Sequence, residues 1–138
     1  QCRACQGQWP ARTHWIADLR LTTAYLFEDQ FFPGWTVLVL NRHATELFHL
    51  SQTERSQVIE DVSDVSRALY QTFHAVKINY ELLGNQLPHI HWHLIPRLLT
   101  DPAPTQPVWT IQHQPCLLTN PELAHRIRAI RERVSVLE

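Results

Sequence analysis

The stretch His89-Ile90-His91-Trp92-His93-Leu94-Ile95-Pro96-Arg97 decides how this chain folds. A β-strand points successive side chains to opposite faces. Read as a strand, the segment places His89, His91 and His93 on one side. Ile90, Trp92 and Leu94 face the other way, where they can seat the strand in a core. Three imidazoles at alternate positions, roughly 6.6 Å apart, form a surface suited to phosphoryl chemistry or to a metal ion. A histidine-rich polar face without chemistry is the plain alternative; a rare residue in strict alternation speaks against it.

The neighbouring segments supply partners for this strand. Gly84-Asn85-Gln86 makes a turn, and residues 76–83 before it have strand character. Residues 19–27, rich in Leu, Thr and Tyr, predict a first strand. The turn signal Pro33-Gly34 separates it from the apolar run 35–40, which suits a buried strand. A short helix is expected over residues 44–50. Ser51-Gln52-Thr53-Glu54 fits a capping box, and Val58, Val62, Val65, Leu69 and Phe73 then recur at helical spacing. After Arg97, the prolines at 102, 104 and 107 exclude regular structure. Asn120-Pro121-Glu122 opens a C-terminal helix, with Asn120 as the expected N-cap. The expectation is an α+β chain: an antiparallel sheet of about five strands covered by one long helix, with a short helix and a C-terminal helix. It is read as one domain over 1–138, with a knuckle at 1–12 and an extension at 98–138.

At 138 residues the chain can bury a core without staples. Its formal net charge of −1 gives no electrostatic reason to expect nucleic acid or membrane as a partner. No apolar run approaches the roughly 20 residues of a membrane span, and no basic-then-apolar leader is visible. Three cysteines cannot all pair, which points to a reducing, cytoplasmic setting rather than a disulfide scaffold.

The alternating histidines, followed by Pro96-Arg97 and preceded by residues 79–88, closely resemble the signature of the histidine triad family, His-φ-His-φ-His-φ-φ with φ apolar. Phe32-Pro33-Gly34-Trp35 and Asn41-Arg42-His43 resemble its front half. The wording is most similar to bacterial members that hydrolyse diadenosine tetraphosphate. The resemblance implies that His91 attacks the α-phosphorus of a nucleotide and that His93 contacts phosphate and protonates the leaving group. It implies substrate contacts near Asn79, Asn85 and Gln86, although the spacing at Asn79 is one residue short and the Asn85-Gln86 pair lacks the usual hydroxyl. Asn85 reads equally as a turn residue. Arg97 is expected to end the strand and meet solvent, with a phosphate contact as the other option. A homodimer is also implied.

Cys2-x-x-Cys5 can clip one tetrahedral ion or form a redox pair. A redox motif would follow a strand and open a helix, which these positions do not. Zinc needs two more ligands, and His43 and His89 are candidates. Zinc-carrying members of the superfamily use two cysteines, a histidine after the second strand and the first triad histidine. The resemblance therefore implies a structural zinc on Cys2, Cys5, His43 and His89. Cys116 reads as an ordinary thiol, and His14, His49, His74, His113 and His125 as surface or packing residues, His113 with an outside chance of reaching substrate. Three functions stay open at this level. One is a nucleotidyl hydrolase, or its phosphoramidate-hydrolase and transferase variants. The others are an enzyme whose three histidines hold a catalytic ion, and a nucleotide-binding module with little turnover.

Overall fold

The computed structural model describes residues 1–137. Five strands form one antiparallel sheet: β1 (Trp15–Asp18), β2 (Thr22–Leu26), β3 (Thr36–Leu40), β4 (Lys77–Glu81) and β5 (His91–Arg97), in the spatial order β1-β2-β3-β5-β4. Two helices, α1 (Gln52–Phe73) and α2 (Asn120–Leu137), complete the fold. This is the expected architecture, and β3 and β5 take its centre because they are buried on both faces.

The period of two in β5 divides the molecule. Trp92 and Leu94 face the main core with Leu38, Ala24 and Ile78, beneath the α1 stripe of Val58, Val62, Val65 and Leu69. His91, His93, Ile95 and Arg97 lie on the other face. There Ile95 joins Phe32, Trp35 and Val108 in a second, smaller core. That second core is closed by the proline-rich segment after β5, so the chain folds back over the face that carries the histidines.

The capping box at Ser51 and Glu54 forms as read, with Ser51 N–H donating to Glu54 Oε1 at 2.8 Å and Glu54 N–H to Ser51 Oγ at 3.1 Å. The helix ends at His74, which takes the left-handed conformation usually left to glycine. Gly34 cannot be replaced: its φ is +90°, and a Cβ there would lie 2.6 Å from the Phe73 ring.

Four local expectations are corrected. The strand expected over 19–27 is β2, which begins only at Thr22; β1 lies ahead of it at Trp15–Asp18, where no strand is expected, and 19–21 turn between the two without glycine or proline. That turn is held from outside, by buried Asp61 of α1, which accepts from the N–H groups of Arg20 and Leu21 and from Thr22 Oγ1. Instead of a helix over 44–50 there is one 3₁₀ turn, Leu47–His49. Ala44 is unavailable because its carbonyl accepts from Ile90 N–H at 2.9 Å. The N-cap of α2 is Thr119 rather than Asn120: Thr119 N–H donates to Glu122 Oε1 at 2.8 Å, and Glu122 N–H donates to Thr119 Oγ1 at 3.4 Å. Arg97 does not meet solvent. It is buried and donates to Asp101, Asn79 Oδ1 and the carbonyls of Ala103 and Gln106. It thereby folds the segment that closes the histidine face.

Candidate active site and metal centre

The regular strand begins at His91, not at His89. Pro88 precedes a bend, and His89 sits in it with its ring turned away from the other two. Its Nε2–H donates to Leu40 O at 2.8 Å, because a carbonyl only accepts. That bond leaves Nδ1 unprotonated, and Nδ1 faces Cys2 Sγ at 3.3 Å, Cys5 Sγ at 3.5 Å and His43 Nδ1 at 3.3 Å. Cys5 Sγ lies 3.4 Å from His43 Nδ1. All four ligand atoms fall within 4.8 Å of one another. Around a tetrahedral zinc, bonds of about 2.3 Å to sulfur and 2.0–2.1 Å to nitrogen put neighbouring ligands roughly 3.3–3.8 Å apart. The donor set and its spacing fit such an ion, and the Leu40 carbonyl supplies the outer hydrogen bond that orients a ligating histidine.

His91 and His93 hold opposite tautomers. His91 Nδ1 lies 2.6 Å from the His89 carbonyl, so Nδ1 carries the proton and Nε2 keeps its lone pair. The indole N–H of Trp35 can only donate, and it points at His93 Nδ1 at 3.0 Å. His93 Nδ1 is therefore the bare nitrogen, and Nε2–H is a donor. The two rings meet edge-on, with centroids 5.3 Å apart. Burial lowers the pKa of both imidazoles, His93 to about 4 with the help of nearby His91. Both are neutral at physiological pH. The sequence marks Trp35 as the start of an apolar strand and as part of the Phe32-Pro33-Gly34-Trp35 resemblance, with no sign of a contact to His93. Its role as the orienter of His93 depends on β3 pairing with β5 in the register Val37 to His93, which carries no signal in the sequence.

The two histidines form the floor of an open cleft of about 470 Å³. Trp9, Phe27 and Trp109 supply aromatic walls, with Trp9 5.2 Å from the His91 ring and Trp109 5.3 Å from the His93 ring. Asn85 and Gln86 stand on the rim beside Arg3. Asn79 is not brought to this place. It pairs with Ile95 rather than with a histidine, and its side chain accepts from Arg97 at 2.7 Å. The residue of β4 opposite His93 is Glu81, which accepts from the Trp109 indole. His113 lies apart from the cleft floor, stacked on Phe31 and bonded to Asp29 Oδ2 at 2.8 Å.

The His93 environment makes a stability prediction. Its folded pKa of about 4 lies below the ordinary 6.5, so the unfolded chain takes up the proton first as pH falls. Stability is fully present above about pH 6.5 and declines toward pH 4. The expected loss from His93 alone is about 2 kcal/mol between pH 7 and pH 5. Urea unfolding of the wild type and His93→Asn at both pH values measures it; identical pH slopes would refute the assignment.

Comparison with known proteins agrees with this geometry. The HIT domain model matches residues 10–99. The chain is 34% identical to a histidine triad protein from Bradyrhizobium japonicum, with a TM-score of 0.80 over 87% of this chain and 89% of that one. It is 28% identical to a histidine triad protein from Marinobacter aquaeolei VT8, with a TM-score of 0.81 over 91% and 90%. A zinc-bound histidine triad family protein from Mycobacterium smegmatis, 20% identical, shares the fold with a TM-score of 0.69 over 99% and 92%. No curated protein matches. This chain belongs to the histidine triad family. No helix among the described residues is long and apolar enough to cross a membrane.

Proposed function

We propose that the chain is a nucleotide hydrolase of the dinucleoside polyphosphate type, cleaving at the α-phosphate through a nucleotidyl-histidine. The observation that carries this reading is the opposed pair of tautomers on the cleft floor. An imidazole nitrogen with a free lone pair is a nucleophile, and the neighbouring ring offers an N–H. His91 Nε2 forms a bond to the α-phosphorus while the bond from phosphorus to the bridging oxygen breaks. His93 Nε2–H hydrogen-bonds the departing phosphate oxygen, which leaves as an anion and takes no proton from the ring. Water then attacks the same phosphorus, the P–N bond breaks, and the nucleoside monophosphate leaves with His91 restored. The proton that water gives up passes to solvent and His93 keeps its Nε2–H, so the cycle closes on hydrolysis alone. Asn85 and Gln86 amides donate to phosphate oxygens at the rim. Asn79 lies outside the cleft, where it accepts from Arg97.

Cys2, Cys5, His43 and His89 would hold a zinc ion, as the tetrahedral spacing and the zinc-bound relative support. With four protein ligands it supplies structure rather than an open coordination site. This removes His89 from the reaction and weighs against a catalytic ion shared by the three histidines. A homodimer and a cytoplasmic setting complete the reading.

The test is a rapid quench of enzyme mixed with diadenosine tetraphosphate labelled at the α-phosphorus. An acid-labile, base-stable adenylyl-histidine mapping to His91 is expected. Multiple turnover with no label on the protein at any time point would end the covalent reading. Phosphoramidate hydrolysis and nucleotidyl transfer share the same first step and differ only in leaving group or acceptor.

A further inference from the structure

The zinc knuckle does more than anchor the N-terminus. Arg3 lies between its two cysteines and lines the cleft together with His91, His93, Asn85 and Gln86. Its backbone is confined on every side. Gln8 N–H donates to Arg3 O at 2.8 Å, Gln6 N–H to Cys2 O at 3.1 Å, and Gly7 N–H to Ala4 O at 3.2 Å. Its guanidinium, by contrast, has no hydrogen bond or ion pair with any described residue. Arg20, Arg42, Arg97 and Arg131 are all committed to carboxylates or carbonyls. No carboxylate, no lysine and no other arginine lines the cleft. Arg3 is therefore the one arginine or lysine facing the bound substrate.

An unpaired guanidinium fork matches two phosphate oxygens at once, which an amide or ammonium cannot. The floor histidines take the phosphate that is attacked, so a cation at the rim is left for phosphates further along the chain. We propose that Arg3 is a specificity residue that binds phosphates beyond the α position, so that the cleft selects nucleotide conjugates with a polyphosphate leaving group over those that expel an amine. The proposal rests on the reading of His91 as the group that receives the nucleotide. It also makes the metal cluster the mount for a substrate contact, since Cys2 and Cys5 fix the backbone on either side of Arg3.

Equilibrium binding of ATP and AMP to the zinc-loaded full chain tests it, with Arg3→Ala and Arg3→Lys alongside the wild type. Zinc content and thermal midpoint are measured on each variant to establish that the knuckle is intact. Arg3→Ala is expected to weaken ATP by about 10- to 100-fold relative to AMP, the range of a hydrogen-bonded charge. Arg3→Lys should fall between, because it keeps the charge and loses the fork. The ratio of kcat/KM for diadenosine tetraphosphate to that for an adenosine phosphoramidate should drop by a similar factor in Arg3→Ala. An unchanged ATP-to-AMP ratio with zinc retained would overturn the role of Arg3 while leaving the hydrolase reading in place. A wild-type protein that binds neither nucleotide would overturn both.

Discussion

A His91→Ala protein is expected to fold, to bind zinc and to lose turnover by roughly 10⁴-fold, the scale on which nucleophile deletions act. No neighbouring group can take over. His93 presents an N–H where a nucleophile needs a lone pair, because Trp35 holds its other nitrogen. His89 has its Nδ1 turned to the cysteines and its Nε2–H on Leu40. The fold survives because His91 donates only one hydrogen bond, to the adjacent bend at His89. Single-turnover assays on diadenosine tetraphosphate, with circular dichroism and zinc content as controls, measure the effect. Retention of more than about a tenth of the wild-type rate would end the proposal of a nucleotidyl-histidine, since general acid–base help alone accounts for about 10²–10⁴-fold.

Removing the metal has the second large effect, this time on stability. The four candidate ligands come from three distant parts of the chain: the knuckle at 2–5, His43 after β3 and His89 before β5. They meet only in the folded protein, so zinc binds the native state and not the unfolded one. At free zinc a thousandfold above its dissociation constant the linkage is worth about 4 kcal/mol. For a chain of this length, that is a fall in thermal midpoint of roughly 10 °C or more on chelation. Cys5→Ser should mimic the loss and make the knuckle open to proteolysis, because the segment then has two fewer contacts with His43 and His89. Elemental analysis should find one zinc per chain. A purified protein that takes up no zinc, or whose melting is unmoved by chelator, would return His89 to no assigned role.

Much of the architecture could be read from local patterns because the forces that make it are local. The stripe from Val58 to Leu69 follows the helical period, and the Ser51–Glu54 box closes within four residues. The alternation in β5 sends Trp92 and Leu94 to the core and His91 and His93 to the cleft. Where the reading went astray, the deciding contact came from far along the chain. Asp61 makes the turn between β1 and β2, and Ile90 draws Ala44 out of a helix. Arg97 was taken for a surface residue because the carboxylate and carbonyls that bury it sit in a loop with no pattern of its own.

The candidate site divides in the same way. Residue pattern together with the resemblance to the histidine triad signature nominated His91, His93 and the candidate ligands Cys2, Cys5, His43 and His89, whose ligand atoms lie within 4.8 Å of one another. A strand's period of two makes all odd positions equivalent, so alternation by itself, without the family resemblance, does not tell one histidine of the run from the next. Only the tertiary structure breaks that equivalence, by surrounding each ring with a different partner: Leu40 O for His89, the His89 carbonyl for His91 and the Trp35 indole for His93. A carbonyl can only accept and an indole N–H can only donate, so those contacts decide where each ring carries its proton. Alternation in the sequence determined that His91 and His93 share a face; the packing of β3 against β5, and the bend at His89, decided which histidine turns to the two cysteines and which nitrogen keeps a free lone pair.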